Sequence, residues 1–253
     1  MGLAAALALL AASAPADQVR QQGNLRVAFA AKLFPTKLPR VGTAPVAVSV
    51  AGRIETTDQS APPQLRRIEL AINRHGRLHT RGLPVCRYEQ IQPATTAEAR
   101  QACPGAVIGR GRFEADVALP DQSPFPSDGR VVAFNGRRDG RPLLLAHIYG
   151  TDPLPTSFTL PFELRQRRGG TYGTVLVARL PRLAARWGYV SGVSLTLQRR
   201  YRHRGKARSY LAAGCPAPRG FRRTVFPFAR ASFAFEGGRR IATTMTRSCA
   251  VRG

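Results

Sequence analysis

Glu114 and Asp116 stand two residues apart in RFEADVAL, with Arg112 on the same alternation. A pair of carboxylates is the minimum equipment for acid–base hydrolysis of a glycosidic bond. In a strand, residues i and i+2 share a face, and a rise of roughly 3.3 Å per residue sets their Cβ atoms about 7 Å apart. That separation lies between the spacings used for retention and for inversion, and no aromatic platform for a sugar ring accompanies the pair. A solvated charged face is the favoured reading, with Phe113, Ala115 and Val117 turned the other way.

A second cluster is RRYRHRGKARSY at 199–210. Arg199, Arg200, Arg202, Arg204, Lys206 and Arg208 crowd together there, interleaved with Tyr201 and Tyr210 and without an acid. Five guanidiniums and the Lys206 ammonium stand close together in the chain, so these six are the anion-contact candidates. The tyrosines could stack on nucleic-acid bases. Against that use, bases are spread over the whole chain, and three Lys (32, 37 and 206) among 39 bases leave 36 Arg. Such a bias points to a GC-rich coding sequence rather than to a phosphate site. A charged hairpin end that blocks edge pairing ranks first, contact with an anionic polymer second, and nucleic acid third.

Other chemistry is absent from the sequence. His75 and His79 are four apart, but NRHGR reads as a turn followed by strand, so the two side chains do not converge. GYVSG at 188–192 lacks the spacing of a nucleophile elbow. There is no His-Glu-x-x-His, no phosphate-cradling loop and no calcium loop. No metal, cofactor or catalytic residue is expected.

The elements that must position these residues alternate with period two. RRIELAIN, PVAVSVAGR, RFEADVAL, RVVAFNG, PLLLAHIYG, SFTLPFELR, TYGTVLVARL, GYVSGVSLTLQRRY, ARSYLAAGC, ARASFAFEG and RRIATTMTRSC all read as strands. Pro161 predicts an edge strand or a bulge for SFTLPFELR. NRHG at 73–76, NGRRDG at 135–140 and EGG at 236–238 predict hairpins, hence a mostly antiparallel sheet. GVSLTLQRRY and ARSYLAAGC are expected as the arms of one long hairpin turning at Gly205. Helix is confined to TTAEARQAC at 95–103, with a Thr cap, and to PRLAARWG at 181–188. Trp187 reads as a core plug. The expected fold is all-β, a mostly antiparallel two-sheet sandwich with one or two short helices, two smaller sandwiches being the alternative. Residues 17–39 form an extension or first strand and 40–253 one domain, with 119–129 (LPDQSPFPSDG) the candidate internal boundary.

The N-terminus carries a short apolar run, Leu3–Ala12, followed by Ala14-Pro15-Ala16. This predicts a signal peptide over 1–16 cut before Asp17, although no base precedes the run. No later run is long and apolar enough to span a bilayer. Four Cys in an exported chain favour disulfides, and proximity pairs Cys86 with Cys103 and Cys215 with Cys249. No close Cys pair suits zinc. With 39 bases against 14 acids, the net charge is +25.

The stretches PFPSDGRVVAFNG, LLAHIYGTDPLPTSFTLPFEL, YGTVLVARLP and RGKARSYLAAGCPAP resemble a group of uncharacterised exported all-β proteins of high-GC bacteria. The resemblance covers most of the chain after about residue 40 and implies no activity, cofactor or site residue. The residues themselves favour a secreted or envelope-bound, disulfide-stapled, non-enzymatic β-protein whose partner is an anionic cell-surface polymer or an envelope protein. The rivals are a secreted hydrolase of a surface glycan and a carrier of an apolar ligand.

Overall fold

A computed structural model describes residues 18–118, 122–152, 154–180 and 188–252. The expected signal peptide, its cleavage point before Asp17, Trp187 and all but the last residue of the helix expected over 181–188 lie outside the described residues. Strands make up 63% of the described residues and helical turns 7%, so the chain is all-β.

The elements in chain order are β1 (Gln18–Gln22), β2 (Leu25–Phe34), β3 (Lys37–Leu38), β4 (Ala44–Pro45), β5 (Ala47–Thr56), β6 (Leu65–Asn73) and β7 (Gly76–Leu78). There follow α1 (Thr96–Ala102), β8 (Val107–Val117), β9 (Phe125–Arg138), β10 (Arg141–Gly150), β11 (Thr156–Gln166), β12 (Tyr172–Arg179) and β13 (Gly188–Leu197). The last are β14 (Arg200–His203), β15 (Lys206–Ser209), β16 (Leu211–Ala213), β17 (Arg223–Phe235) and β18 (Arg240–Val251). Thirteen strands form one sheet in the order β1-β2-β5-β13-β8-β9-β10-β11-β12-β6-β17-β18-β3. Its neighbours are antiparallel except β18 and β3. β14 and β15 form a sheet of their own, and β4-β16-β7 a third.

The large sheet curls until its ends meet, so the two packed layers are halves of one sheet. Arg247 of β18 reaches the Ala31 carbonyl of β2, Nε at 2.7 Å. Arg239 donates to Asn24 Oδ1 at 2.9 Å. Leu25, Val27, Phe29, Ala31 and Leu33 alternate inward along β2 and join Phe226, Phe228, Phe233, Phe235, Ile241 and Met245 in one buried cluster. Phe29 meets Phe233 edge-on at 5.9 Å. β9 and β10 are apolar without alternation because both their faces are covered. Val131 and Ala133 face the curl, whereas Val132, Phe134, Leu143 and Leu145 pack beneath Ile91, Ala99 and the Cys86–Cys103 disulfide. Helix α1 crosses that outer face, started by a reciprocal capping box between Thr95 and Glu98. The second disulfide joins Cys215 to Cys249. Both pairings are those that sequence proximity favours.

Several expectations are corrected. β11 is not an edge strand: β10 flanks Thr156–Glu163 on one side and β12 flanks Phe162–Gln166 on the other. Pro161 is tolerated because its pairing with β12 begins only at Phe162, so its missing N–H leaves no gap in that ladder. NRHG is not a β6–β7 hairpin, since β7 pairs with β16 while β6 lies between β12 and β17. Asn73 makes the corner instead: its Oδ1 accepts from the His75 N–H at 3.0 Å and its Nδ2 donates to Pro227 at 2.7 Å. The long hairpin is also divided. β13 belongs to the large sheet, β16 to the three-stranded one, and only β14 and β15 pair with each other. Residues 18–34 supply two paired strands. Of the stretch 119–129, residues 119–121 lie outside the described residues, and Phe125–Gly129 belong to β9, which pairs with β8 from Val107 to Val117.

Candidate functional site

The Arg-rich hairpin turns at Arg204 and Gly205, both with positive φ (50° and 72°), the geometry that matches the twist of a two-residue turn. Three contacts fix it to the body. Tyr201 Oη donates to the Arg81 carbonyl at 2.9 Å and lies 3.3 Å from that of His79. The Tyr210 N–H donates to the Arg199 carbonyl at 2.8 Å, with the Tyr210 ring fully buried. His203 packs against Gly82, where an added Cβ would stand 2.4 Å from its ring.

This anchoring divides the six candidates. Arg200, Arg202 and Arg208 line a groove of about 520 Å³ at the hairpin foot. Arg252 closes it from the C-terminal end, and Pro35, Pro45 and Tyr201 supply apolar wall. Among the described residues, no acid lines this groove. Arg199 turns to the other side and lines a second groove of about 420 Å³ with Arg100 and Arg110, again without an acid. Its Nη2 reaches the Gly105 carbonyl at 3.5 Å, while its Nε is buried without a partner. Arg204 and Lys206 lie exposed at the tip and belong to neither groove. The six candidates therefore do not form one patch: four line two grooves that flank the Arg199–Arg200 junction, and two stand at the tip.

Sequence reasoning missed Arg252, Arg100 and Arg110, which come from the C-terminus, from α1 and from β8. No local spacing links them to the hairpin. The positive field of this region is felt by a neighbour: His79 is held below its usual range first by burial, then by Arg208 and Arg77. Burial raises the Tyr201 phenol, and Arg208 opposes that shift.

The carboxylate pair is tied into ion pairs. Glu114 Oε2 stands 3.6 Å from Arg53 Nη2, both side chains about half exposed. The contact crosses a whole strand, because Arg53, Gly192 and Glu114 share one register across β5, β13 and β8. Any side chain at Gly192 would collide with the Glu114 carboxylate at 2.5 Å. Arg112 of the same face pairs with Asp128 at 3.3 Å. Asp116 lies close enough to Tyr189 for its charge to add to the burial that raises that phenol. Neither groove contains Glu114 or Asp116.

His75 and His79 do not converge on a common point with other ligands. No group of three or more His, Cys, Asp or Glu side chains among the described residues could hold a metal ion. Among the same residues, no helix is long and apolar enough to cross a membrane. Comparison with protein-family models, with curated proteins and with solved structures gives no match.

Proposed function

We propose that the protein is an exported, non-enzymatic binding protein that grips an anionic polymer of the cell envelope at the groove between the β14–β15 hairpin and the C-terminus. The observation that carries this reading is the lining: Arg200, Arg202, Arg208 and Arg252 line one open groove with no Asp or Glu among its described lining residues. Four guanidiniums held apart along a channel suit repeated phosphates or carboxylates better than a single small anion. Two disulfides fit a chain that works in an oxidising compartment. The apolar run at the N-terminus fits the export of such a chain.

The rival activities have less support. Glu114 is half exposed and engaged by Arg53, and neither groove includes Glu114 or Asp116. The inside of the curl, where an apolar ligand would sit, is filled by Phe29, Phe226, Phe228, Phe233 and Phe235.

Heparin serves as the probe polyanion. Affinity falls steeply between about 0.05 and 0.2 M salt, as counterion release requires. Changing Arg200, Arg202 and Arg208 together to Ser lowers the log–log salt slope by about 2 to 3, at roughly 0.7–0.9 per lost contact. Changing Arg204 and Lys206 to Ser has a smaller effect. A groove variant that binds heparin with unchanged slope would remove the site.

A further inference from the structure

One end of the molecule carries exposed apolar side chains where a soluble surface would carry polar ones. Phe34 is 73% exposed, Val41 88%, Phe221 63% and Val225 69%. They come from distant parts of the chain, and backbone bonds bring their segments side by side. Ala250 donates to Thr36, Val251 to Arg222 and Arg252 to Leu38. Val225 pairs with Ser248, and Arg223 with Ala250.

These segments are also wholly cationic. Residues 34–42, 215–225 and 246–252 contain no Asp or Glu. Lys37, Arg219, Arg222, Arg223 and Arg252 are exposed in the same segments.

The end is held rigidly. Arg40 spends its guanidinium on the carbonyls of Ala217 (3.0 Å), Phe221 (2.8 Å) and Pro218. The Cys215–Cys249 disulfide fixes the base of the same loop to β18. Two loops, one behind Val41 and one carrying Phe221, are thereby locked to each other with their apolar side chains outward.

Apolar side chains surrounded by cations match a bilayer interface: the apolar groups enter the acyl boundary while the cations meet lipid phosphates. We infer that this end docks on an anionic lipid bilayer, with Phe34, Val41, Phe221 and Val225 inserted and the five exposed cations on the head groups. Because the clamp orders the loops beforehand, docking costs little conformational entropy. Pro35 and Arg252 belong both to this end and to the rim of the polyanion groove. A docked molecule therefore holds its groove beside the membrane surface.

The test uses the whole mature chain and sedimentation with vesicles. One set is equal parts phosphatidylglycerol and phosphatidylcholine, the other phosphatidylcholine alone. The protein is expected to bind the anionic vesicles and to bind the zwitterionic ones far more weakly. The double variant Phe34→Ser/Phe221→Ser is expected to bind anionic vesicles about tenfold or more weaker, since the affinity scales with inserted apolar area. Its retention on heparin should not change, which separates this inference from the polyanion groove. Equal melting temperatures verify the fold, and Phe221→Ala provides a milder variant should the double one fail to fold. Three results would overturn the inference: no binding to anionic vesicles, undiminished binding by both variants, or a concentration-dependent dimer that the substitutions abolish.

Discussion

The phenol of Tyr201 donates to the backbone carbonyl of Arg81 across 2.9 Å, and this bond orients the hairpin whose arginines line the groove. Removing the hydroxyl in Tyr201→Phe leaves the ring packing and deletes the bond, so it costs about 1 kcal/mol. The hairpin amides of β14 and β15 should then exchange faster with solvent, and heparin affinity should fall severalfold. Gly82→Ala should do more damage. Gly82 has φ of +85°, and the new Cβ would enter the His203 ring. Hydrogen exchange followed by mass spectrometry reads both effects.

Glu114→Gln discriminates between a hydrolytic and a structural carboxylate. The ion pair with Arg53 is half exposed, and such pairs contribute little. The expected change in stability is within about 0.5 kcal/mol, with no change in heparin binding. A surface-glycan hydrolysis assay should give the same zero signal for the native protein and the variant. A measurable activity abolished by this substitution would restore the carboxylate pair as a catalytic centre.

The two disulfides close loops of different size, with separations of 17 and 34 residues. On the chain-entropy model, removing either one as a Cys→Ser pair costs roughly 3 to 4 kcal/mol, slightly more for the longer loop. The consequences should differ in kind. Cys86–Cys103 covers the outer face of β9 and β10, so its loss should expose Phe134 and Leu145 and increase dye binding. Cys215–Cys249 anchors the apolar end, so its loss should weaken vesicle binding more than heparin binding. Urea unfolding with both probes measures this.

His147 is fully buried, its Nδ1 3.3 Å from Thr159 Oγ1. Burial holds its imidazole below the usual range, and the Thr95 backbone partly opposes this. His75 and His79 are lowered as well, chiefly by burial. Well above pH 6.5, the ordinary histidine value, these groups are neutral in both the folded and the unfolded chain and add nothing to the pH dependence. As pH falls below that value, the unfolded chain takes up protons that the folded one does not, and stability drops until the lowered folded values are reached. Asp58, Glu98 and Glu163 are held low in the folded state, so their contributions are lost at more acidic pH. The melting temperature should therefore fall between pH 7 and 5, and His147→Gln should make that fall shallower. A flat profile over this window would show that the buried imidazole is not linked to folding.

Much of the secondary structure was legible because many of the strands announce themselves locally. LRRIELAIN and RVVAF become strands by alternation or by an unbroken apolar run, and TTAEARQAC becomes α1 through its own capping box. The turn at Arg204-Gly205 and the one at Asp139-Gly140 were readable for the same reason, since positive φ selects Gly and its neighbours. Both disulfide pairings followed from nearness in sequence, which the short loops preserve in space.

Which strands become neighbours is a different question, because ladder hydrogen bonds are made by the backbone and carry no residue code. Nothing in RRIELAIN says that it will lie between TYGTVLVAR and RTVFPFARASFAF, or that the sheet will curl until Arg247 reaches Ala31. The six basic residues of 199–208 were visible as a charged cluster, but their division among two grooves and a tip depends on where Tyr201 and Tyr210 anchor the hairpin. Arg252 and Phe34 come to one end of the molecule only because β3 pairs in parallel with β18. The sequence by itself determined the strands, the turns, the disulfides and the strong positive charge, all set by interactions between residues near one another in the chain. The tertiary structure alone decided which of those charges converge, since that convergence depends on long-range strand pairing and on apolar burial that no short stretch encodes.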